Sequence, residues 1–189
     1  MTTETSTHAG LKFQIYNRRL GLWLFMLSES IIFLTLLSSR FYMQGVFRPA
    51  EVNQLLGLGI TLVLLVSSFF ANRAELAIAS GDKAGFNLNI LVTIFLGLAF
   101  LVGVVTVEWP EAMLFAPPST GYGTAFFAIT GMHAFHVLTG LIILTLVFIQ
   151  GQRGKLEKDH WSAEGGIIYW HFVDIVWVFV YPVLYLVGS

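Results

Sequence analysis

The chain has 189 residues, 56% of them hydrophobic and only 11% charged, with a formal net charge of −1 and a mean hydropathy of +0.77. A soluble domain carries about 25% charged residues, so the composition excludes an ordinary water-soluble fold and points to a polytopic membrane protein. The balanced charge gives no support to a nucleic-acid partner or a polybasic lipid tether, and the lack of cysteine excludes disulfides, haem attachment through Cys-x-x-Cys-His and thiolate metal sites.

Residues 1–16 are Thr- and Ser-rich, carry no apolar core and read as a flexible tail. No signal peptide is visible, because the first apolar run is too long and lacks a small-residue cleavage site. Residues 17–189 read as a single membrane domain. Its five apolar segments lie at about 19–42, 53–80, 88–109, 122–150 and 165–187. Each exceeds the roughly 20 residues that cross about 30 Å of hydrocarbon. The second and fourth exceed that need, so they tilt or protrude. Lipid forbids open sheet edges, and barrel strands would show alternating ten-residue segments, so the spans are helices. The predicted fold is all-α, a five-transmembrane-helix bundle.

The connections carry the remaining polarity. "RFYMQGVFRPAEVNQ" (40–54) joins the first two helices, and Ser80-Gly81-Asp82 breaks the chain after the second. "EWPEAMLFAPPSTGYG" (108–123) holds three of the five prolines and is expected to end the third helix. "GQRGKLEKDHWSAEGG" (151–166) is the most charged stretch. Lys12, Arg18, Arg19, Arg73, Lys83, Arg153, Lys155 and Lys158 fall on one side of a five-span protein, eight in all, against Arg40 and Arg48 on the other. The positive-inside rule then predicts a cytoplasmic N-terminus and an outside C-terminus. No internal repeat is apparent.

A few ionisable residues lie deep in the spans. Glu29 is in "WLFMLSESIIF", His133 and His136 in "TGMHAFHVLTG", and His171 and Asp174 in the closing helix. An acidic group at the bilayer centre costs about 2.5–3.5 kcal/mol, so these residues should face protein or water. Helical rise puts Glu29 roughly 15 Å and Asp174 roughly 14 Å from the cytoplasmic side, with His136 at about 20 Å and His171 at about 10 Å. His133/His136 and His171/Asp174 are i, i+3 pairs, each on one helix face. The polar faces of helices one, four and five are therefore expected to meet in the interior. Three roles fit such a cluster. It can knit helices together, each pair contributing about 0.6–2 kcal/mol. It can hold a metal or haem, though i, i+3 histidines on one helix do not straddle a haem iron. It can relay protons, although the outer half offers little beyond Glu108 and the closing tyrosines.

Gly57, Gly59, Gly97, Gly103, Gly131 and Gly140 suit close helix packing, or simply reflect how common glycine is in membrane helices. Trp23, Trp109, Trp161, Trp170, Tyr181 and Tyr185 read as an interfacial belt, with Trp177 in a helix contact. Glu164 suits the N-terminus of helix five. Arg73 and Arg153 could meet a lipid phosphate or merely snorkel.

The segments "RRLGLWLFMLSESIIF" (18–33), "GYGTAFFAITGMHAFHVLTGLI" (121–142) and "YWHFVDIVWVFVYPVLYLVGS" (169–189) closely resemble subunit III of haem-copper oxidases. The pairing of T-G-x-H-x-x-H-V with W-H-F-V-D-x-V-W carries the likeness, and Ser28-Glu29 matches the family's intramembrane glutamate. The resemblance spans about residues 18–189, with 40–118 matching mainly in hydropathy and in "ASGDKAGFNLN".

The resemblance implies an all-helical, non-redox subunit of an oxidase that reduces O2 to water and moves protons outward. It implies direct packing on subunit I, with subunit II and other oxidase subunits as further partners, haem and copper only in those partners, and structural phospholipids in a V-shaped cleft. It further implies support of proton uptake and protection of the catalytic subunit. Glu29 would border the lipid cleft, and His133, His136, His171 and Asp174 would be internal packing and hydrogen-bonding residues. No catalytic, cofactor or metal ligand is expected in this chain. Lipid contacts fall to Glu29, Arg73 and Arg153, the last standing in for a relative's arginine where this chain has Ile149-Gln150. Longer relatives have seven helices, and the chain resembles a five-helix bacterial form of the cell membrane. The electron donor could be cytochrome c or quinol. Other readings are an accessory subunit of a quinol oxidase or nitric oxide reductase, and an independent small transporter or channel. A transporter would favour inverted repeats or broken helices.

Overall fold

The computed structural model describes the backbone of residues 2–157 and 160–188 and the side chains of residues 16–156 and 160–188. The side chains of Lys12 and Lys158, counted above in the charge bias, lie outside this set. Regular elements among the described residues are all helical. They are α1 (Thr2–Gln44), α2 (Gln54–Ala79), α3 (Lys83–Gly103), α4 (Trp109–Phe115), α5 (Gly121–Gln152) and α6 (Trp161–Tyr181). Five stretches are long and apolar enough to cross a membrane: Tyr16–Gln44, Gln54–Ala79, Lys83–Phe115, Gly121–Gln152 and Trp161–Leu186. The chain is thus an all-α protein with five potential spans. Helical backbone already begins at Thr2, so residues 2–16 form the leading turns of α1.

Local chemistry sets the boundaries. Asn53, Asp82 and Thr120 each stand in extended backbone, and each accepts a hydrogen bond from the third residue on, Leu56, Gly85 or Gly123. These side chains satisfy amide groups that the first helical turn leaves without a partner. Gly81, at φ +79°, turns the chain after α2 in a conformation other residues resist.

The expected break at the prolines after residue 108 lies further on. The third span continues through Pro110 to Phe115, as α3, a π-helical turn Val104–Glu108 and α4. Pro110 occupies the first turn of α4, where its missing N–H costs little. The wider turn before it carries Trp109 N–H to the Val104 carbonyl, so the helix axis survives the proline. A second π-helical turn, Pro182–Leu186, closes α6 with a proline at its start.

Helices α5 and α6 form the centre. Helix α5 packs on α1, α3 and α6, while α6 packs on α1, α2 and α5, and α2 pairs extensively with α3. Over the most apolar window of each span, 56% of α6 residues are buried but only 11% of α1 residues. Helix α1 is therefore peripheral and presents most of its surface to lipid or to a partner.

The glycines act mainly as slots for aromatic rings. A Cβ on Gly97 would come within 2.5 Å of the Trp170 indole, and one on Gly140 within 2.8 Å of the same ring. Gly57 similarly admits Tyr185, at 2.7 Å. Gly59 and Gly131 face open space, and Gly103 touches only Ile60. Trp170 is consequently a core residue, fully buried, as is Tyr185 at 3% exposure. Neither belongs to the interfacial belt that the sequence suggested, whereas Trp23 is well exposed.

Arg40 is buried too. Its guanidinium donates to the carbonyls of Gly45 (2.6 Å), Phe47 (3.1 Å) and Val187 (2.8 Å) and lies against the rings of Phe41 and Tyr122. It clamps the end of α1, the following loop and the closing turn of α6.

Candidate functional site

The deep ionisable residues do not form one network. They separate into two hydrogen-bonded sites and a buried imidazole. At the α1–α5 contact, His136 Nε2 faces Glu29 Oε2 at 3.0 Å. His136 Nδ1 lies 2.8 Å from the Met132 carbonyl. A carbonyl only accepts, so Nδ1 carries a proton and donates it. One further proton then serves the Nε2–Glu29 contact, either on the carboxyl or on the imidazole. The pair sits at the edge of the bundle, with the Glu29 side chain 18% exposed and that of His136 6%. Phe33 covers the imidazole at a centroid distance of 5.0 Å.

At the α2–α6 contact, His171 Nδ1 and the Ser68 hydroxyl are hydrogen-bonded at 2.6 Å. Asp174 lies one turn on and is buried. Ser68 is its polar neighbour, but neither carboxyl oxygen has a hydrogen bond within the described chain. The expected meeting of α1, α5 and α6 polar faces therefore needs correction. The faces of α1 and α5 meet, while His171 turns to α2. Helix α6 lies between α2 and α5, so one helix face cannot serve α1 as well.

Among the described residues, His133 finds no hydrogen-bond partner for either ring nitrogen. It is buried among aromatic rings from three other helices, Phe33, Phe100 and Trp177, with the Trp177 centroid at 4.7 Å. Its i, i+3 neighbour His136 therefore has a different environment despite the shared helix face.

The sequence reading missed the hydroxyls of α2. Trp170 donates its indole N–H to Ser67 Oγ at 3.1 Å, and Trp177 donates to Thr61 Oγ1 at 2.9 Å. Thr61 and Ser68 are seven residues apart, which places them on one helix face. That spacing is the signal that could have found them. Trp109 similarly donates to Thr130 Oγ1 at 3.1 Å.

At the helix ends, Arg19 donates to Glu164 at 2.7 Å, joining α1 to the first turn of α6. Arg73 is exposed, with its guanidinium over Phe69 at 5.9 Å, and Arg153 is exposed at the end of α5. Among the described residues, no three His, Asp or Glu side chains converge in a group suited to a metal ion.

The helix order and the α1–α5 and α2–α6 contacts now stand beside comparisons with known proteins. A family model described as cytochrome c oxidase subunit III matches residues 2–189. Cytochrome c oxidase subunit 3 of Marchantia polymorpha is 34% identical over 184 residues, covering 90% of this chain and 69% of that protein. Its counterpart in Synechocystis is 31% identical over 178 residues, covering 89% and 75%. A probable cytochrome c oxidase subunit 3 of Mycobacterium tuberculosis is 34% identical over 144 residues, covering 74% and 70%. The chain belongs to the cytochrome c oxidase subunit III family, whose members are components of an oxidase complex.

Proposed function

We propose that this chain is the non-catalytic accessory subunit of a proton-pumping haem-copper terminal oxidase in an aerobic respiratory chain. In this reading it packs directly on subunit I, beside subunit II and the other oxidase subunits. Haem and copper reside in those partners, and phospholipid is the ligand of this chain. It sustains proton uptake, lipid binding and complex stability while the partner reduces O2 to water. The membrane is the bacterial cell membrane, with the N-terminus in the cytoplasm and the C-terminus outside, as the positive-charge bias supports.

The observation that carries this reading is the family match along residues 2–189. The internal chemistry agrees with a scaffold. Glu29–His136, Ser68–His171 and the indole–hydroxyl contacts all join one helix to another. Glu29 sits at the bundle edge, where a lipid or subunit surface would begin. Arg73 and Arg153 supply further exposed cations for lipid phosphate.

Glu29→Gln in the assembled oxidase tests the proposal. The initial rate of O2 reduction should stay close to wild type, while the turnover lifetime shortens or the bound phospholipid changes. Immediate and complete loss of O2 reduction in a fully assembled complex would contradict an accessory role.

A further inference from the structure

A further polar site lies at the end of the bundle that carries the α1–α2 connection. Glu108 is only 4% exposed, and neither carboxyl oxygen has a hydrogen bond within the described chain. The Tyr185 hydroxyl is likewise buried and without a partner. Both residues line one cavity of about 20 Å³, measured as room for the centre of a water molecule. One water needs about 10–15 Å³ on that measure and two to four polar partners. Each of the two groups is presented by a π-helical turn, Val104–Glu108 and Pro182–Leu186. Such turns re-aim side chains and recur at functional sites.

The cavity also touches Asn53 and Glu111, which stand nearer the surface. Asn53 Nδ2 donates to Glu111 Oε1 at 3.5 Å, and Asn53 Oδ1 is occupied by the Leu56 amide. Tyr122, the other titratable neighbour of Glu108, donates its hydroxyl hydrogen bond to the Leu184 carbonyl at 2.7 Å. Glu111, Tyr122 and Tyr185 are thus the titratable groups around Glu108, and only Glu111 and Tyr185 have capacity to spare. Calcium and magnesium ask for about six or more oxygen ligands, which this mainly apolar cavity does not offer, and no three His, Asp or Glu side chains converge here among the described residues.

The geometry points to a hydrated proton-exchange site: a single ordered water held between Glu108 and Tyr185, through which the Glu108 carboxyl exchanges its proton with Glu111 and the solvated end of the bundle. The exchange conserves protons and leaves the water unchanged. Glu108 gives its proton to the water as the water passes another to the Glu111 carboxylate, and the reverse transfer restores both groups. No oxidant or further reactant is needed. The inference is independent of the accessory role proposed above, because it rests only on this cavity.

Infrared spectroscopy on the purified complex containing the full chain tests it. The difference between wild type and Glu108→Gln isolates the Glu108 carboxyl band, which should shift when the complex moves from H2O to D2O. Tyr185→Phe, which keeps the ring, should retain the band but delay the shift. A Glu108 band that stays unshifted after prolonged D2O exposure would overturn the inference, as would the loss of no carboxyl band in Glu108→Gln. Should the variants fail to assemble, a high-resolution map of the wild-type complex decides. A single water peak within hydrogen-bond distance of Glu108 and Tyr185 is expected. A cavity closed by apolar side chains, or a peak ringed by oxygens at metal distances, would overturn it.

Discussion

Helices α1 and α6 both carry a carboxylate at mid-span, yet the bundle treats them differently. Helix α6 is gripped along its length. Two indole N–H groups and an imidazole meet hydroxyls of α2, and the Trp170 ring fills slots left by Gly97 and Gly140. Helix α1 is held at intervals: Arg19 at one end, Glu29 near the middle and Arg40 at the other end. The contrast shows that close packing and polar contacts act together at the centre, whereas the periphery leans on its polar contacts with little packed area to support them. Lipid is as apolar as a leucine side chain, so helix association in a membrane leans on close packing and hydrogen bonds. A helix with little packed area depends more on each polar contact.

The variants below rank the two modes. Trp170→Ala should have the largest effect, since it empties a slot formed by two helices. Truncation of a buried Trp costs about 3–5 kcal/mol, readable as a fall in the denaturation midpoint and in the amount of assembled subunit. An effect as small as that of a surface substitution would break the packing argument. Glu29→Leu should come next. It leaves His136 Nε2 without its partner, a loss of about 1–3 kcal/mol, while Glu29→Gln should recover most of it because an amide can still donate to Nε2. Equal damage from Leu and Gln would show that the charge, not the hydrogen bond, holds α1.

Trp177→Phe keeps an aromatic ring beside His133 and Phe100 and removes only the N–H bond to Thr61. The expected cost is about 0.6 kcal/mol, and at most about 2 kcal/mol. Arg19→Ala should matter least. The pair with Glu164 is exposed, so its loss should cost under about 1 kcal/mol and fade as salt is raised. The denaturation midpoint measured in low and high salt checks this.

Much of this arrangement was legible in the sequence. Five long apolar runs could only be helices in lipid, and the cost of burying a carboxylate required Glu29 to find a partner. That partner proved to be His136, on a helix already singled out. What was not legible depended on helix phase. Helix α6 begins at Trp161, four residues before its expected start, and that shift carries Trp170 from the apparent interface into the core. The role of Ser68 was hidden because serine in a helix commonly bonds its own backbone, as Ser30 and Ser38 do here. The continuation through Pro110 was missed because a proline normally marks a helix end. The π-helical turn that absorbs it has no simple sequence signal.

Membership of the oxidase family and the proposed scaffold role together make one demand on the native membrane. The decisive measurement is purification of the chain from that membrane, with optical spectra and metal analysis of each separated subunit. The account predicts co-elution with a haem- and copper-containing subunit, and no haem absorbance in this chain once separated. A stable homo-oligomer free of such a partner, or haem retained by this chain itself, would contradict it.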